Sequence, residues 1–255
     1  MRKEDRLAAI VEKLREDGFI KNNELSKLFG TSEMTIWRDI DELEKAGVLR
    51  RVFGGAVDIK ASSYTESHVN ERVFENTSAK EQIARYAVSM MKTNDRVFID
   101  SGSTGYIIAK YLAKENKRLF CSTNTINTAA ELCNNPAIKT VMIGGELKGN
   151  SMCSIGPVAE SQLKNYKFSY SFVACNAIDD NGRVMVLDIS ERSIKRSIID
   201  VSEKCYLICD SSKISCTSMI EFATVDEFTG IIVDSGIDEK QMHLLESRGA
   251  TIIVA

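Results

Sequence analysis

The chain has 255 residues, of which 44% are hydrophobic and 27% charged, with a net charge of −3. That length suits one small and one larger globular domain, and the near-neutral balance does not by itself point to nucleic acid. No apolar run is long enough to span a bilayer and the start, MRKEDR, is charged rather than leader-like, so a cytoplasmic location is expected.

Seven cysteines (121, 133, 153, 175, 205, 209 and 216) form no CxxC pair, and the only histidines are His68 and His243. No zinc site, catalytic Cys/His pair, metal or cofactor follows from that set. Cysteines inside apolar runs, such as Cys205 and Cys209 in CYLIC, read as buried thiols.

In chain order, residues 4–17 read as a helix, with Leu7, Ile10, Val11 and Leu14 at helical spacing and Gly18 as its stop. Phe19 and Ile20 suit a short strand. A second helix is expected from Glu24 to Phe29, ended by Gly30. The stretch TSEMTIWRDIDELEKAGVLRRVFGGA, residues 31–56, then opens on Ser32, a hydroxyl N-cap, with Glu33 at the positive end of the helix dipole. Ile36, Ile40 and Leu43 share one face, which must be buried. Glu33, Met34, Thr35, Trp37, Arg38 and Asp41 share the other. Gly47 can close the helix in a left-handed conformation. Val48 and Leu49 are expected to start a short strand, followed by Arg50 and Arg51, with Gly54 and Gly55 allowing a tight return.

Two short helices joined by a glycine turn, with a polar cap before the second, make a helix-turn-helix, and the Arg-Arg strand with its glycine turn makes a wing. An ordinary three-helix cap with a solvated face is the plainer alternative. Residues 1–57 hold eleven basic and eleven acidic side chains. DNA binding would therefore rest on local distribution, with Arg38, Arg50 and Arg51 on one side and the acids elsewhere. The candidate DNA contacts are Ser32, Glu33, Met34, Thr35, Trp37, Arg38, Arg50 and Arg51.

Residues 58–77 are polar and irregular and read as a linker with a short contact segment; residues 78–255 read as a second domain. A helix from Ser78 to Met91 comes first. Strands and helices then alternate, with strands at 96–100, 119–122, 140–143, 170–175, 205–209, 230–233 and 251–254. The pattern implies an α/β fold built on a mostly parallel open sheet with helices on both faces.

In such sheets ligands bind beyond the carboxyl ends of the strands. The residues there are Asp100-Ser101-Gly102-Ser103-Thr104, then Asn124, Gly144-Gly145-Glu146, Asn176, and Asp210 to Lys213. Each is an unremarkable turn when taken alone. Five small, polar or charged loops on one edge suggest a pocket for a phosphorylated, polyhydroxy ligand, with the phosphate on the amides and hydroxyls of Ser101–Thr104. Asp100, Glu146 and Asp210 would accept bonds from sugar hydroxyls. Lys195, four residues after Glu191, either adds positive charge there or forms a surface ion pair.

The run from Ser32 to Ala56 resembles the winged helix-turn-helix of the DeoR/GlpR bacterial transcriptional regulators. Thr35, Ile36, Arg38, Asp39, Leu43, Glu44, Gly47, Gly54, Gly55 and Ala56 match the family pattern, and Trp37 departs from it, standing where the family usually has Arg. FIDSGST, STN, IGGE, DSSK and the run Asp188, Glu191, Lys195 resemble that family's effector domain. The resemblance implies a winged helix-turn-helix joined to a domain similar to ribose-5-phosphate isomerase and CoA transferases. It also implies a repressor of a carbohydrate catabolic operon, released from double-stranded operator DNA by a sugar phosphate.

One reader binds a short site weakly, so a homodimer or homotetramer is expected. The alternative is an isomerase-like enzyme carrying a DNA-binding domain. Its proton-moving carboxylate would have to come from Asn176-Ala-Ile-Asp179-Asp180, which lacks the first Asp and the Gly of those isomerases.

Overall fold

The structure, a computed structural model, describes residues 3–17, 19–52, 55–58, 69–149 and 151–255. It divides into two compact units, Met1–Ser67 and His68–Ala255.

The first unit consists of α1 (Lys3–Asp17), β1 (Phe19–Lys21), α2 (Asn22–Phe29), α3 (Glu33–Lys45), β2 (Leu49–Val52) and β3 (Gly55–Asp58). The strands form an antiparallel sheet in the order β1-β3-β2. Ser32 caps α3, its hydroxyl accepting the Thr35 amide at 3.2 Å. Ala46 ends the helix and Gly47, at φ +68°, turns the chain away, a conformation in which a side chain would be strained. Ile36, Ile40 and Leu43 pack with Ile10, Leu14, Ile20, Leu25, Leu49 and Ala56 in one small core. Beside it a bidentate pair joins α1 to α3: Arg6 Nε and Nη2 donate to the two oxygens of buried Asp39 at 2.5 and 3.1 Å. Asp39 is therefore an architectural residue of α3.

Some boundaries in this unit differ from the sequence expectation. α2 begins at Asn22, not Glu24, because Lys21 is still extended and serves as its N-cap. Val48 precedes the wing strand, and Arg50 and Arg51 lie inside it. Gly18, Gly54 and residues 59–68 of the expected linker lie outside the described residues.

The second unit begins with α4 (Val69–Arg72) and α5 (Thr77–Met90). A seven-stranded sheet follows, built from β4 (Arg96–Ile99), β5 (Leu119–Thr123), β6 (Ile138–Met142), β9 (Tyr170–Ala174), β12 (Cys205–Ile208), β14 (Gly230–Val233) and β15 (Ile252–Val254). Its order is β15-β14-β12-β9-β4-β5-β6, and every pairing is parallel. Side chains alternate across it. Val97, Ile99, Phe172, Tyr206, Ile208 and Ile232 pack with α5, α6 (Ser103–Leu112) and α7 (Ile126–Leu132). Phe98, Val173, Leu207, Ile231 and Val233 pack on the opposite face with α8 (Gly156–Leu163), α9 (Ile189–Asp200) and α10 (Glu239–Ser247).

Two small antiparallel sheets were not foreseen. One is the hairpin of β7 (Glu146–Lys148) and β8 (Cys153–Ile155); the other joins β10 (Ala177–Ile178), β11 (Arg183–Val186) and β13 (Ile220–Thr224). Their strands are two to five residues long, too short for an alternation to stand out. Five of the seven thiols are buried, as their apolar surroundings suggest. No described helix is long and apolar enough to cross a membrane.

Candidate functional site

In the first unit the outward face of α3 carries Met34, Trp37 and Arg38, all exposed, while Thr35 is half-buried and hydrogen-bonded to Ser32. Ser32 is committed to its cap. Arg38 forms no ion pair with any described residue. Arg51 differs from the expectation that basic groups gather on one side with the acids elsewhere. β2 runs beside α3, so the Arg51 guanidinium meets Asp41 at 3.0 Å and Glu44 at 2.8 Å, and the Arg51 amide donates to Glu44 at 2.8 Å. The guanidinium also lies 4.8 Å from the centre of the Trp37 ring. Arg51 thus fastens the wing to the helix. The side chain of Arg50 lies outside the described residues.

In the second unit the parallel order brings the ends of β4, β5, β6, β9, β12 and β14 to one edge. The chain leaves β4 toward β5 and β6, then returns on the other side of β4 as β9, so the strand order reverses between β4 and β9. At that reversal Gly102, at φ +123°, leads into α6 with no side-chain cap, which leaves the first-turn amides of the helix uncapped. Gly105 has no room for a side chain: a Cβ would stand 2.4 Å from the Asp100 carbonyl.

A buried charge pair closes the reversal. Lys195 and Asp100 are both almost wholly buried; Nζ of Lys195 lies 2.5 Å from Asp100 Oδ2 and donates to the Ala174 carbonyl at 2.9 Å. Oδ2 of Asp100 also accepts the Ala174 amide at 3.1 Å. Burial alone would lower the Lys195 pKa, but Asp100 and then Glu191 outweigh it and hold it above the ordinary lysine value. Lys195 is therefore not a surface partner of Glu191, whose own close partner is Lys148 at 2.7 Å. Asp100 is occupied by Lys195 and the backbone, not open to a sugar hydroxyl.

Polar groups of the neighbouring loops are also engaged. Asn124 is buried; its side-chain amide donates to the Ser154 carbonyl at 3.3 Å, and its Oδ1 has no partner among the described residues. The Gly144 amide is held by Gln162 at 2.8 Å, and Glu146 is exposed at the start of β7. Asn176 accepts the Leu187 amide at 3.3 Å. Asp210 accepts Asn76 at 3.0 Å and the Ser212 hydroxyl, while Lys213 donates to the Cys175 carbonyl at 2.9 Å. A cleft of about 460 Å³ on this edge is lined by Asn76, Ser78, Gln82, Asp210, Ser212 and Asp234 among others. Of the expected ligand loops only the one after β12 reaches that cleft. Ser101, Ser103, Thr104 and Asn124 are enclosed beneath the surface.

Residues 6–62 match the DeoR-like helix-turn-helix domain and residues 75–235 match the DeoR C terminal sensor domain. The chain belongs to the DeoR family of transcriptional regulators. It is 32% identical, over 98% of its length and 93% of the relative's, to a protein of Escherichia coli O157:H7 provisionally described as an aga operon transcriptional repressor. It is 28% identical to the lactose phosphotransferase system repressor of Staphylococcus aureus strain N315, covering 94% of this chain and 95% of that one. Ribose 5-phosphate isomerase A from Methanocaldococcus jannaschii is a structural neighbour, with a TM-score of 0.41 and 14% identity over 55% of each chain.

As a DeoR-family member the protein is a DNA-binding transcriptional regulator, and α3 is the second helix of its helix-turn-helix. Two residues at the sensor edge escaped the sequence reading. Lys80 is buried, and its ammonium donates to the Arg72 carbonyl and to the Glu75 carbonyl at 2.5 Å. Burial, and then repulsion from Lys213, pulls its pKa down to about 8. Lys148 bridges Glu191 and, at 3.3 Å, Asp188. The sequence signal for Lys80 was only a lysine on the apolar side of an amphipathic helix, which reads equally as a snorkelling surface residue.

Asp179, the nearest counterpart of an isomerase base, is bound on both oxygens. It accepts the amides of Asn181 and Arg183 at 3.0 and 2.9 Å and the Arg183 guanidinium at 2.6 Å. Burial raises its pKa, but those Arg183 bonds outweigh it and keep the carboxyl below its usual range.

Proposed function

We propose that the protein represses a carbohydrate catabolic operon and leaves its operator when a phosphorylated sugar binds the sheet edge. The ligand would be held by Ser101–Thr104, Asn124, Gly144-Gly145 and Lys213, with Glu146, Asn176 and Asp210 toward the sugar; because Ser101, Ser103, Thr104 and Asn124 are buried, the loops over them would have to part as it binds. The observation that carries this reading is the strand reversal. There an uncapped helix start, two close-packed glycines and the unpartnered carbonyl oxygen of buried Asn124 meet on one edge, a setting suited to an anion with hydroxyls. The names of the relatives support a sugar operon and repression.

The reader works as a homodimer or homotetramer on a repeated site. The edge senses the ligand without turning it over, since the run Asn176-Ala-Ile-Asp179-Asp180 lacks the first Asp and the Gly of the isomerases and Asp179 is tied to Arg183. Release requires the ligand to prefer a state that misplaces the readers. Coupling of that kind is typically about 1–3 kcal/mol, or 5- to 150-fold in operator affinity. The test is a panel of pentose and hexose phosphates, scored by thermal shift and by release of DNA from the parent and from the Gly102→Val/Lys213→Ala variant. Gly102 sits at φ +123° with a Cβ position 3.3 Å from that of Ala174, so valine strains the loop and narrows it. The variant should bind DNA and ignore the sugar that releases the parent. A variant that responds like the parent places the ligand elsewhere.

A further inference from the structure

We infer that Met34 and Trp37 read thymine methyl groups, making the N-terminal half of α3 an apolar reader in the major groove. The inference rests on the DNA-binding role of α3 and adds what that helix selects. Met34 and Trp37 stand one turn apart on its outward face, 60% and 46% exposed, while the polar neighbour Thr35 is turned into its bond with Ser32. Two large apolar side chains one turn apart on a reading helix gain most from burial where the groove offers apolar surface, since against polar groove atoms they would strip water and return no hydrogen bond. In the major groove that surface is the C5-methyl of thymine. Neither side chain can pair with guanine in the bidentate manner of Arg: methionine has only a weakly accepting sulfur and tryptophan a single N–H donor.

The position of Trp37 is also fixed in advance. The Arg51 guanidinium lies 4.8 Å from its ring centre and is itself held by Asp41 and Glu44. A cation over one ring face and two carboxylates behind that cation limit the rotamers of the indole before DNA arrives, so less entropy is lost on binding. Arg51, expected as a DNA contact in its own right, acts here by positioning Trp37.

The experiment uses the full chain and two random duplex libraries, one made with thymidine and one with deoxyuridine in every thymidine position. Duplexes enriched from the thymidine library are footprinted. Each protected thymine is then replaced singly by uracil, which removes the methyl and leaves base pairing intact. At one or two positions per half-site the replacement should weaken binding about tenfold, within the range of a specific base contact. Trp37→Ala should bind the thymine duplex more weakly and no longer distinguish it from the uracil duplex. Trp37 is exposed and outside the core, so the variant should fold, and circular dichroism checks that it does. If every replacement stays within twofold, or the protected site contains no thymine, the methyl-reading inference is wrong while operator binding stands. If neither library yields any enriched sequence, the reading of α3 as a DNA reader falls as well.

Discussion

Replacing Lys195 with methionine decides whether the cation at the strand reversal is architecture or an open ligand contact. The substitution keeps much of the side-chain volume and removes the charge. Asp100 is then left wholly buried, 2.5 Å from where its only close cation among the described residues stood, with the Ala174 amide and a long Ser101 contact in compensation. Breaking one side of a buried pair typically costs about 3–5 kcal/mol, a large part of the roughly 5–15 kcal/mol that holds a domain folded. With a urea slope of about 2 kcal/mol/M, the unfolding midpoint of the second unit should fall by about 1.5–2.5 M. The chain supplies its own control, because its single tryptophan, Trp37, lies in the first unit. Tryptophan fluorescence should keep its transition while far-ultraviolet circular dichroism, dominated by the larger unit, moves.

Adding Asp100→Asn should recover part of the loss, since no charge is then stranded, and the double-mutant cycle should show a coupling of at least about 1 kcal/mol. The pH dependence has a definite sign. The Lys195 pKa is raised in the folded state, so the stability it contributes is fully present below the unfolded lysine value of about 10.4. It is lost only as pH rises through the higher folded value. The gap between parent and Lys195→Met should be constant from pH 6 to 9 and close only in strong alkali. A Lys195→Met variant as stable as its parent, or additive effects in the cycle, would refute the structural assignment.

Arg38→Ala should weaken operator binding by about 1–3 kcal/mol if Arg38 reads a base, and by a smaller, sequence-independent amount if it meets phosphate; titration against cognate and scrambled duplexes separates the two. Because Arg38 is exposed and unpaired among the described residues, the melting curve of the variant should match the parent. Arg6→Ala should behave in the opposite way. Loss of the bidentate bond to buried Asp39 should cost about 3–5 kcal/mol in the first unit, shifting tryptophan fluorescence and leaving the second unit's transition in place. Light scattering at micromolar concentration should show a dimer or tetramer, and a monomer alone would count against paired readers.

What the sequence made legible follows from how local each signal is. The reading helix was readable to within a residue because its cap, its apolar face and its glycine stop all lie within sixteen consecutive positions, and the structure places Ser32, Ile36, Ile40, Leu43 and Gly47 in those roles. The alternation of strands and helices likewise gave the parallel sheet, and with it the common edge of the candidate ligand loops. The partners of charged groups were not readable, because they are set by distant segments. Lys195 finds Asp100, 95 residues away, rather than Glu191 one turn before it, and Lys148 reaches Glu191 across 43 residues. A helical i, i+4 rule sees only the near neighbour. The same holds for Arg51, which resembles a basic wing residue in a linear reading and is neutralised by Asp41 and Glu44 once β2 lies beside α3.

Those pairings bear on how the reader gains affinity. Of the basic residues in the first unit, Lys3, Arg6, Lys21, Lys45 and Arg51 already face carboxylates. The exposed ones are weak pairs that DNA can compete for, but each exchange returns a bare acid to the neighbourhood of the phosphates. Arg38, which forms no ion pair with any described residue, is one expected phosphate partner; with Arg50 and one lysine per reader as the others, counterion release contributes little per reader. At a slope of about −0.9 for each phosphate neutralised, log affinity against log salt should fall with a slope of roughly −2 to −3 per reader. Base contacts and the pairing of two readers must then supply the rest, which is why an apolar contact by Met34 and Trp37 and a repeated site belong to one scheme. A titration from about 50 to 300 mM salt on one half-site measures the slope. A value near −6 or steeper would mean that the carboxylates give up their partners on binding, and that phosphate attraction rather than base contact carries the affinity.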